Sequence, residues 1–208
     1  MNAFCENLLE NPRLFRLSQA VVAPGAERGI QRVMAELLRQ LPPARLLLDV
    51  GCGPTSRLWR VGLHPMGVDC SLAYLRKYTA RGSPAIAASA IDLPFASQQF
   101  DAVWSIGLLH HLSDSAAHRA VQEMVRVCRR GGHVVILDGV LPQSPWYRPV
   151  AYGVRRFDRG RFMRREHDLT ALLPSDVTFQ TLRVTYSLNG LELVACWSQV
   201  TTACASSL

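Results

Sequence analysis

Residues 45–53 read Arg45-Leu-Leu-Leu-Asp-Val-Gly-Cys-Gly53. A short apolar run leads straight into a bend flanked by glycines. Such a run, bounded closely by breakers, is typical of a strand buried on both faces of a parallel sheet. Gly51 and Gly53 lack Cβ atoms, so the backbone can turn sharply and let a ligand come close. A helix is expected to follow from Thr55 or Ser56, either of which can cap it. Taken alone, Gly-Cys-Gly also fits a plain strand-to-helix turn.

Upstream, Ala26 to Leu41 carries Ile30, Val33, Met34, Leu37, Leu38 and Leu41 on one helical face, and Pro42-Pro43 ends that helix. Downstream, strands and helices alternate. His64 to Asp69 reads as a strand, Leu72 to Ala80 as a helix, Pro84 to Ser89 as a weaker strand and Phe100 to Ile106 as a clear one. Ser115 to Arg130 reads as a helix, with Arg129, Arg130 and Gly131-Gly132 as its C-terminal signals. His133 to Val140 is the next strand. Leu141 to Arg165 is rich in proline and arginine and is expected to be irregular with a short helix, and Asp168 to Leu173 adds another. Val177 to Ser187 and Leu191 to Val200 form a closing hairpin around Asn189-Gly190, a dipeptide suited to a tight turn. The alternation implies an α/β fold: a Rossmann-like, doubly wound, mostly parallel sheet with a C-terminal antiparallel hairpin strand. Ligands in such sheets bind at the carboxyl ends of strands, where strand order reverses. Gly51 to Gly53 should therefore line that crevice.

The 208 residues suit one domain, with 49% hydrophobic and 19% charged residues. The expected division is N-terminal helices over 1–44, a core over 45–140, a basic and aromatic insert or lid over 141–173 and the hairpin over 174–208. Six cysteines are scattered without C-x-x-C or zinc-ligand spacing, so no metal is expected and they read as small buried residues in a reducing compartment. No secretory signal or membrane-length apolar run is visible, which gives the expectation of a cytoplasmic protein. The net charge of +7 is uneven: Arg148, Arg155, Arg156, Arg159, Arg161, Arg164 and Arg165 stand together with one acid, Asp158. That patch fits an acidic substrate, a lipid headgroup or nucleic acid, and equally a solvated surface.

Six ordered segments carry a resemblance. They are Leu47-Leu-Asp-Val-Gly-Cys-Gly53, Gly67-Val-Asp-Cys-Ser71, Ile91-Asp-Leu-Pro-Phe95, Phe100-Asp-Ala-Val-Trp-Ser105, Leu108-Leu-His-His-Leu112 and Cys128-Arg-Arg-Gly-Gly-His-Val134. Together they resemble the class I S-adenosylmethionine-dependent methyltransferases, in particular the small-molecule and quinone-biosynthesis group. The resemblance implies S-adenosylmethionine as cofactor. It implies that Asp49, Gly51, Cys52 and Gly53 hold the methionine end, and that Asp69, beside Cys70, binds the ribose hydroxyls. Asp69 could instead serve as the cap of the following helix. Ser89 and Ala90 fall at the adenine site, where relatives often carry Gly-Asp-Ala; Ala88-Ser89-Ala90 departs from that pattern, with Asp92 as a substitute or a turn cap. Ser105 and the segment to Leu112 would cover the cofactor and face the acceptor, and His110 is the candidate base. It could also simply pack and bond backbone.

The implied reaction is in-line displacement onto a small-molecule acceptor, amphipathic or anionic, by a monomer or homodimer. Nucleic acid is the weaker expectation, because basic residues interleaved with aromatics also describe an ordinary lid. A nicotinamide oxidoreductase would want G-x-G-x-x-G, but Ser56 holds the third position, and Tyr74 lacks a lysine four residues on. The other alternative is a non-catalytic cofactor-binding subunit that supports a partner.

Overall fold

The computed structural model describes residues 23–144, 146, 148–156 and 161–200. The expected helical stretch before residue 23, and Tyr147, Phe157, Asp158 and Arg159 of the insert, lie outside the described residues. The elements are α1 (Ala26–Gln40), β1 (Leu47–Val50), β2 (Met66–Asp69), α2 (Leu72–Thr79), β3 (Ala85–Ala87), β4 (Phe100–Ile106), α3 (Asp114–Val127), β5 (Cys128–Val140), α4 (Pro149–Arg156), α5 (Glu166–Thr170), β6 (Gln180–Thr185) and β7 (Glu192–Gln199). Seven strands form one sheet in the order β3-β2-β1-β4-β5-β7-β6. The first five run parallel, and β7 pairs antiparallel with both β5 and β6. Strand order reverses between β1 and β4, which puts the glycine bend at the switch point.

The apolar runs of the central strands follow from burial on two faces. Leu48, Val50, Val103, Val134 and Ile136 join Val121 and Met124 of α3 on one side. Leu47, Ala102, Trp104, Val135 and Leu137 join Ile30, Val33, Met34 and Leu37 of α1 on the other. Each such side chain stabilises the fold by up to about 1.5–3 kcal/mol. α1 lies so close to the end of β6 that a Cβ on Gly29 would stand 1.9 Å from the Tyr186 carbonyl oxygen. Glycine there is a condition of the packing.

Local expectations are revised at four places. The helix expected from Thr55 or Ser56 is a single 3-10 turn, Leu58–Val61, closed by Gly62 at φ +80°. The Ser56 hydroxyl donates to Asp49 at 2.6 Å, and Gly62 and Pro65 leave too few residues for more turns. α3 ends at Val127, and Arg129 to Gly132 belong to β5. Cys128 is already extended and pairs with Phe100, and Gly131 (φ +75°) sits where the β4–β5 register shifts. A tertiary partner therefore overrode a good local stop signal. The hairpin turns through Ser187 to Gly190, wider than a two-residue turn: Tyr186 N–H donates to Leu191 O and Gly190 N–H to Ser187 O. β3 keeps only three residues of the expected six.

Candidate active site at the switch point

The bend after β1 is held by β2. The N–H groups of Gly51 and Cys52 donate to Val68 O at 2.8 and 3.0 Å. Gly51 and Gly53 have φ of +73° and +60°, a conformation that favours glycine. A Cβ at Gly51 would meet Leu108 at 2.8 Å, whereas the space beside Gly53 is open to 4 Å. Asp69, at the end of β2, accepts from Gly53 N–H at 3.0 Å through one oxygen and from Ser71 N–H at 2.8 Å through the other. Ser71 itself caps α2, accepting from Tyr74 N–H. The cap is therefore Ser71 and not Asp69, which braces the loop and keeps further lone pairs.

Asp49 is buried on β1, and burial pushes its carboxyl up to about 6, against the opposing pull of the Ser56 hydroxyl and of Arg57. Cys52 is also buried, and burial pushes its thiol up, so it serves as a packed apolar group under the bend. Cys70 is exposed. Ser89 is exposed in a turn where Asp92 N–H donates to its carbonyl at 3.1 Å, which places Asp92 as a turn residue. Ala90 is partly buried and packs against the core. Ser105 is buried and donates to Val50 O at 3.0 Å. It fastens the last carbonyl of β1 to β4.

His110 lies in a 3-10 turn, Leu109–His111, beyond β4. Its Nδ1 contacts Asp138 Oδ1 at 2.5 Å, and its backbone N–H donates to Asp138 Oδ2 at 3.1 Å. Asp138 is buried on β5 and also accepts from Gly139 N–H at 2.7 Å. Burial pushes the Asp138 carboxyl up, but the His110 imidazole and the donated hydrogen bonds outweigh this and hold it below the ordinary range. The ring Cε1 lies 3.6 Å from where a Gly107 Cβ would be, and Arg57 Nη1 lies 3.5 Å from the same point.

Part of the basic segment is not at the surface. Arg164 is buried and donates to Leu109 O, Leu112 O and Asp114, and Phe162 N–H donates to His110 O at 3.0 Å. Arg155 is buried against Tyr186, to whose hydroxyl it donates at 2.6 Å. Arg148 holds Gly190 O and Thr185. Arg161 and Arg165 are exposed. Sequence reading had no way to sort these, because each partner is more than thirty residues away.

Four more residues belong with the site. Asp138 was legible only as a lone acid inside an apolar strand. Arg57, whose Nε lies 3.7 Å from Glu27 of α1, is the cation closest to the Gly107 turn among the described residues that flank it. Leu72 and Ile91 are exposed apolar residues that follow β2 and β3 on the crevice rim. A cleft of about 420 Å³ lies elsewhere, between α5, β6 and Leu141, and the ion pair of Arg183 with Glu166 lines it.

The strand order, the glycine bend at its switch point and the carboxylate on the neighbouring strand define a Rossmann-like nucleotide-cofactor fold. Residues 48–136 match the methyltransferase domain family. The match spans the core of this chain, from β1 into β5. A tRNA (carboxymethyluridine(34)-5-O)-methyltransferase of Arabidopsis thaliana is 36% identical over 50% of this chain and 26% of its own length. A demethylmenaquinone methyltransferase of Mycolicibacterium vanbaalenii is 34% identical over 66% of this chain and 60% of its own. The chain thus spans about a quarter of the tRNA-methyltransferase relatives and less than two thirds of the menaquinone one. Among solved structures, an S-adenosylmethionine-dependent methyltransferase of Thermotoga maritima shares the fold at TM-score 0.68 and 17% identity, covering 93% of this chain and 99% of its own. A geranyl diphosphate methyltransferase in complex with S-adenosylmethionine does so at 0.64 and 16%, covering 81% and 85%.

Proposed function

We propose that this protein is an S-adenosylmethionine-dependent methyltransferase acting on a small-molecule acceptor. The observation that carries the reading is the bond from Gly53 N–H to Asp69, with open space beside Gly53, at the point where strand order reverses. The residues present fit the cofactor. Gly51 to Gly53, backed by Asp49 and Cys52, hold its methionine end. The free lone pairs of Asp69 take the ribose hydroxyls, with Cys70 alongside. Leu72, Ile91 and the backbone of Ser89 and Ala90 flank its adenine. Ser105 keeps the β1 carbonyl in place.

Bound there, S-adenosylmethionine supplies a methyl group on a good sulfonium leaving group. The chain's own task is then to align an acceptor, which by orientation alone lowers a barrier by several kcal/mol. His110, at the ends of β4 and β5, is the group placed to take a proton. A small acceptor is favoured because Arg155 and Arg164 are buried and tie the insert to the fold, which takes two cations away from any face that nucleic acid would meet. The longer match to the menaquinone relative agrees. On this reading residues 141–173 cover the acceptor.

Calorimetry with S-adenosylhomocysteine tests the cofactor reading. Asp69→Ala should weaken binding about 10- to 100-fold, about 1.4–2.7 kcal/mol, while circular dichroism shows the variant folded. Equal affinity in a folded variant removes Asp69 from the site. Labelled S-adenosylmethionine, offered with phenolic and quinol acceptors and in parallel with total tRNA, tests the acceptor. Label in tRNA alone overturns the small-molecule reading, and label in neither favours a non-catalytic subunit.

A further inference from the structure

We propose that Asp138 is a positioning residue that fixes the hydrogen on His110 Nδ1, and that the pair selects a methyl acceptor bearing an ionisable hydroxyl. The inference deepens the reading above and rests on it. Asp138 interrupts the apolar run of β5 and is 1% exposed. A carboxylate so placed costs several kcal/mol unless it is well hydrogen-bonded. Anchoring the turn after β4 needs only the His110 backbone N–H, which reaches Oδ2. The second oxygen is aimed at the imidazole, and Gly139 N–H supports it there.

An ionised carboxylate can only accept. The neutral ring therefore carries its hydrogen on Nδ1, and its basic lone pair is on Nε2. The ring stands over Gly107, the residue that follows β4, and Leu108 packs on Gly51 of the glycine bend. The imidazole thus lies beside the expected methionine end of the cofactor. Other charged or titratable groups lie near it among the described residues. His111 lies at 4.2 Å between ring centroids, Arg57 lies across Gly107, and Arg164, paired with Asp114, holds the Leu109 and Leu112 carbonyls that flank the turn.

The step balances as a general-base displacement. The acceptor O–H bond breaks and its proton passes to Nε2. The oxygen's electron pair forms the O–C bond to the methyl carbon as the C–S bond breaks, and that bond's electrons neutralise the sulfonium. Asp138 stabilises the imidazolium, which returns its proton to water after product release. An amine offers its lone pair without such help, so the pair gives it no comparable advantage.

Two measurements test this. Nitrogen NMR of the imidazole in the S-adenosylhomocysteine complex should show neutral His110 protonated at Nδ1 in the native chain, with that preference lost in Asp138→Asn. The native ring protonated at Nε2 overturns the proposal, whether or not the variant folds. Turnover is then compared for a catechol and the matching aromatic amine. Asp138→Asn and His110→Gln should each lower kcat for the catechol about 10²–10⁴-fold near neutral pH. The deficit should shrink as rising pH ionises the hydroxyl unaided, and S-adenosylhomocysteine affinity should stay within threefold. A merely structural Asp138 would lower turnover equally at every pH, and that result, or turnover confined to the amine, overturns the proposal. Loss of cofactor binding by the native chain would instead sink the methyltransferase reading.

Discussion

The two sides of the crevice are built differently. The glycine bend is made from a contiguous stretch braced by one nearby carboxylate, sixteen residues on. The His110 side is assembled from the turn after β4, an acid on β5 twenty-eight residues later and an arginine of the insert about fifty-five residues away. One side is a local conformation that needs glycine. The other is a set of long-range ties that exists only once the sheet and insert have come together. The first should tolerate loss of the insert's contacts, and the second should not.

The strongest way to break that comparison is Arg164→Met. It removes a buried guanidinium and leaves the Leu109 and Leu112 carbonyls short of donors. A loss of about 3 kcal/mol in denaturant unfolding is expected, with faster hydrogen exchange at the His110 turn and S-adenosylhomocysteine affinity nearly unchanged. An equal fall in affinity would show that the two sides act as one unit.

Next in size is Asp49→Asn. The Asp49 carboxyl sits at about 6 in the fold against an ordinary 3.8, so the folded state binds the proton more readily than the unfolded chain. Its ionised form costs stability above about pH 6, and the cost is relieved as pH falls through that value. The amide should stabilise the ligand-free protein by about 2 kcal/mol at neutral pH and weaken S-adenosylhomocysteine at least tenfold. Thermal melting and calorimetry on one preparation read both, and a less stable variant would contradict the assignment of Asp49 as a strained binding group.

The smallest effect sharpens the contrast between two histidines of neighbouring elements. His110 has a carboxylate. His133, also buried, has no hydrogen-bond partner for either ring nitrogen among the described residues and stands edge-on to Trp104. Burial lowers its value to about 4 from 6.5. The unfolded chain therefore takes a proton before the fold does, so stability is full above about pH 6.5 and falls as pH drops toward 4. About 1–2 kcal/mol should be lost across that window and be absent in His133→Phe. Denaturant midpoints at pH 7 and pH 4.5 measure it, and identical pH dependence in the two proteins would exclude His133 as the source.

These differences explain what could be read in advance. The apolar periods of α1, β1, β4 and β5 matched their burial, because a segment covered on one or two faces must carry that pattern in its own residues. Gly51, Gly53 and Asp69 were legible for a similar reason: the bend imposes its requirements on consecutive residues. Arg129 to Gly132 misled, since charge and glycine mark a helix end only when no neighbouring strand claims the segment, and β4 claimed it through Phe100 and Asp101. Arg155 and Arg164 misled more, for a cation written in a basic run carries no mark of whether it faces water or a buried carbonyl.

Chain-local chemistry thus determined the sheet, its parallel core and the glycine cradle, since backbone conformation and hydrophobic period are properties of neighbouring residues. The partner of His110, the inward arginines and the short 3-10 turn after β1 were decided by packing. Hydrogen bonds between distant segments depend on how strands stack and which groups lose water together, and no single stretch of the chain contains that information.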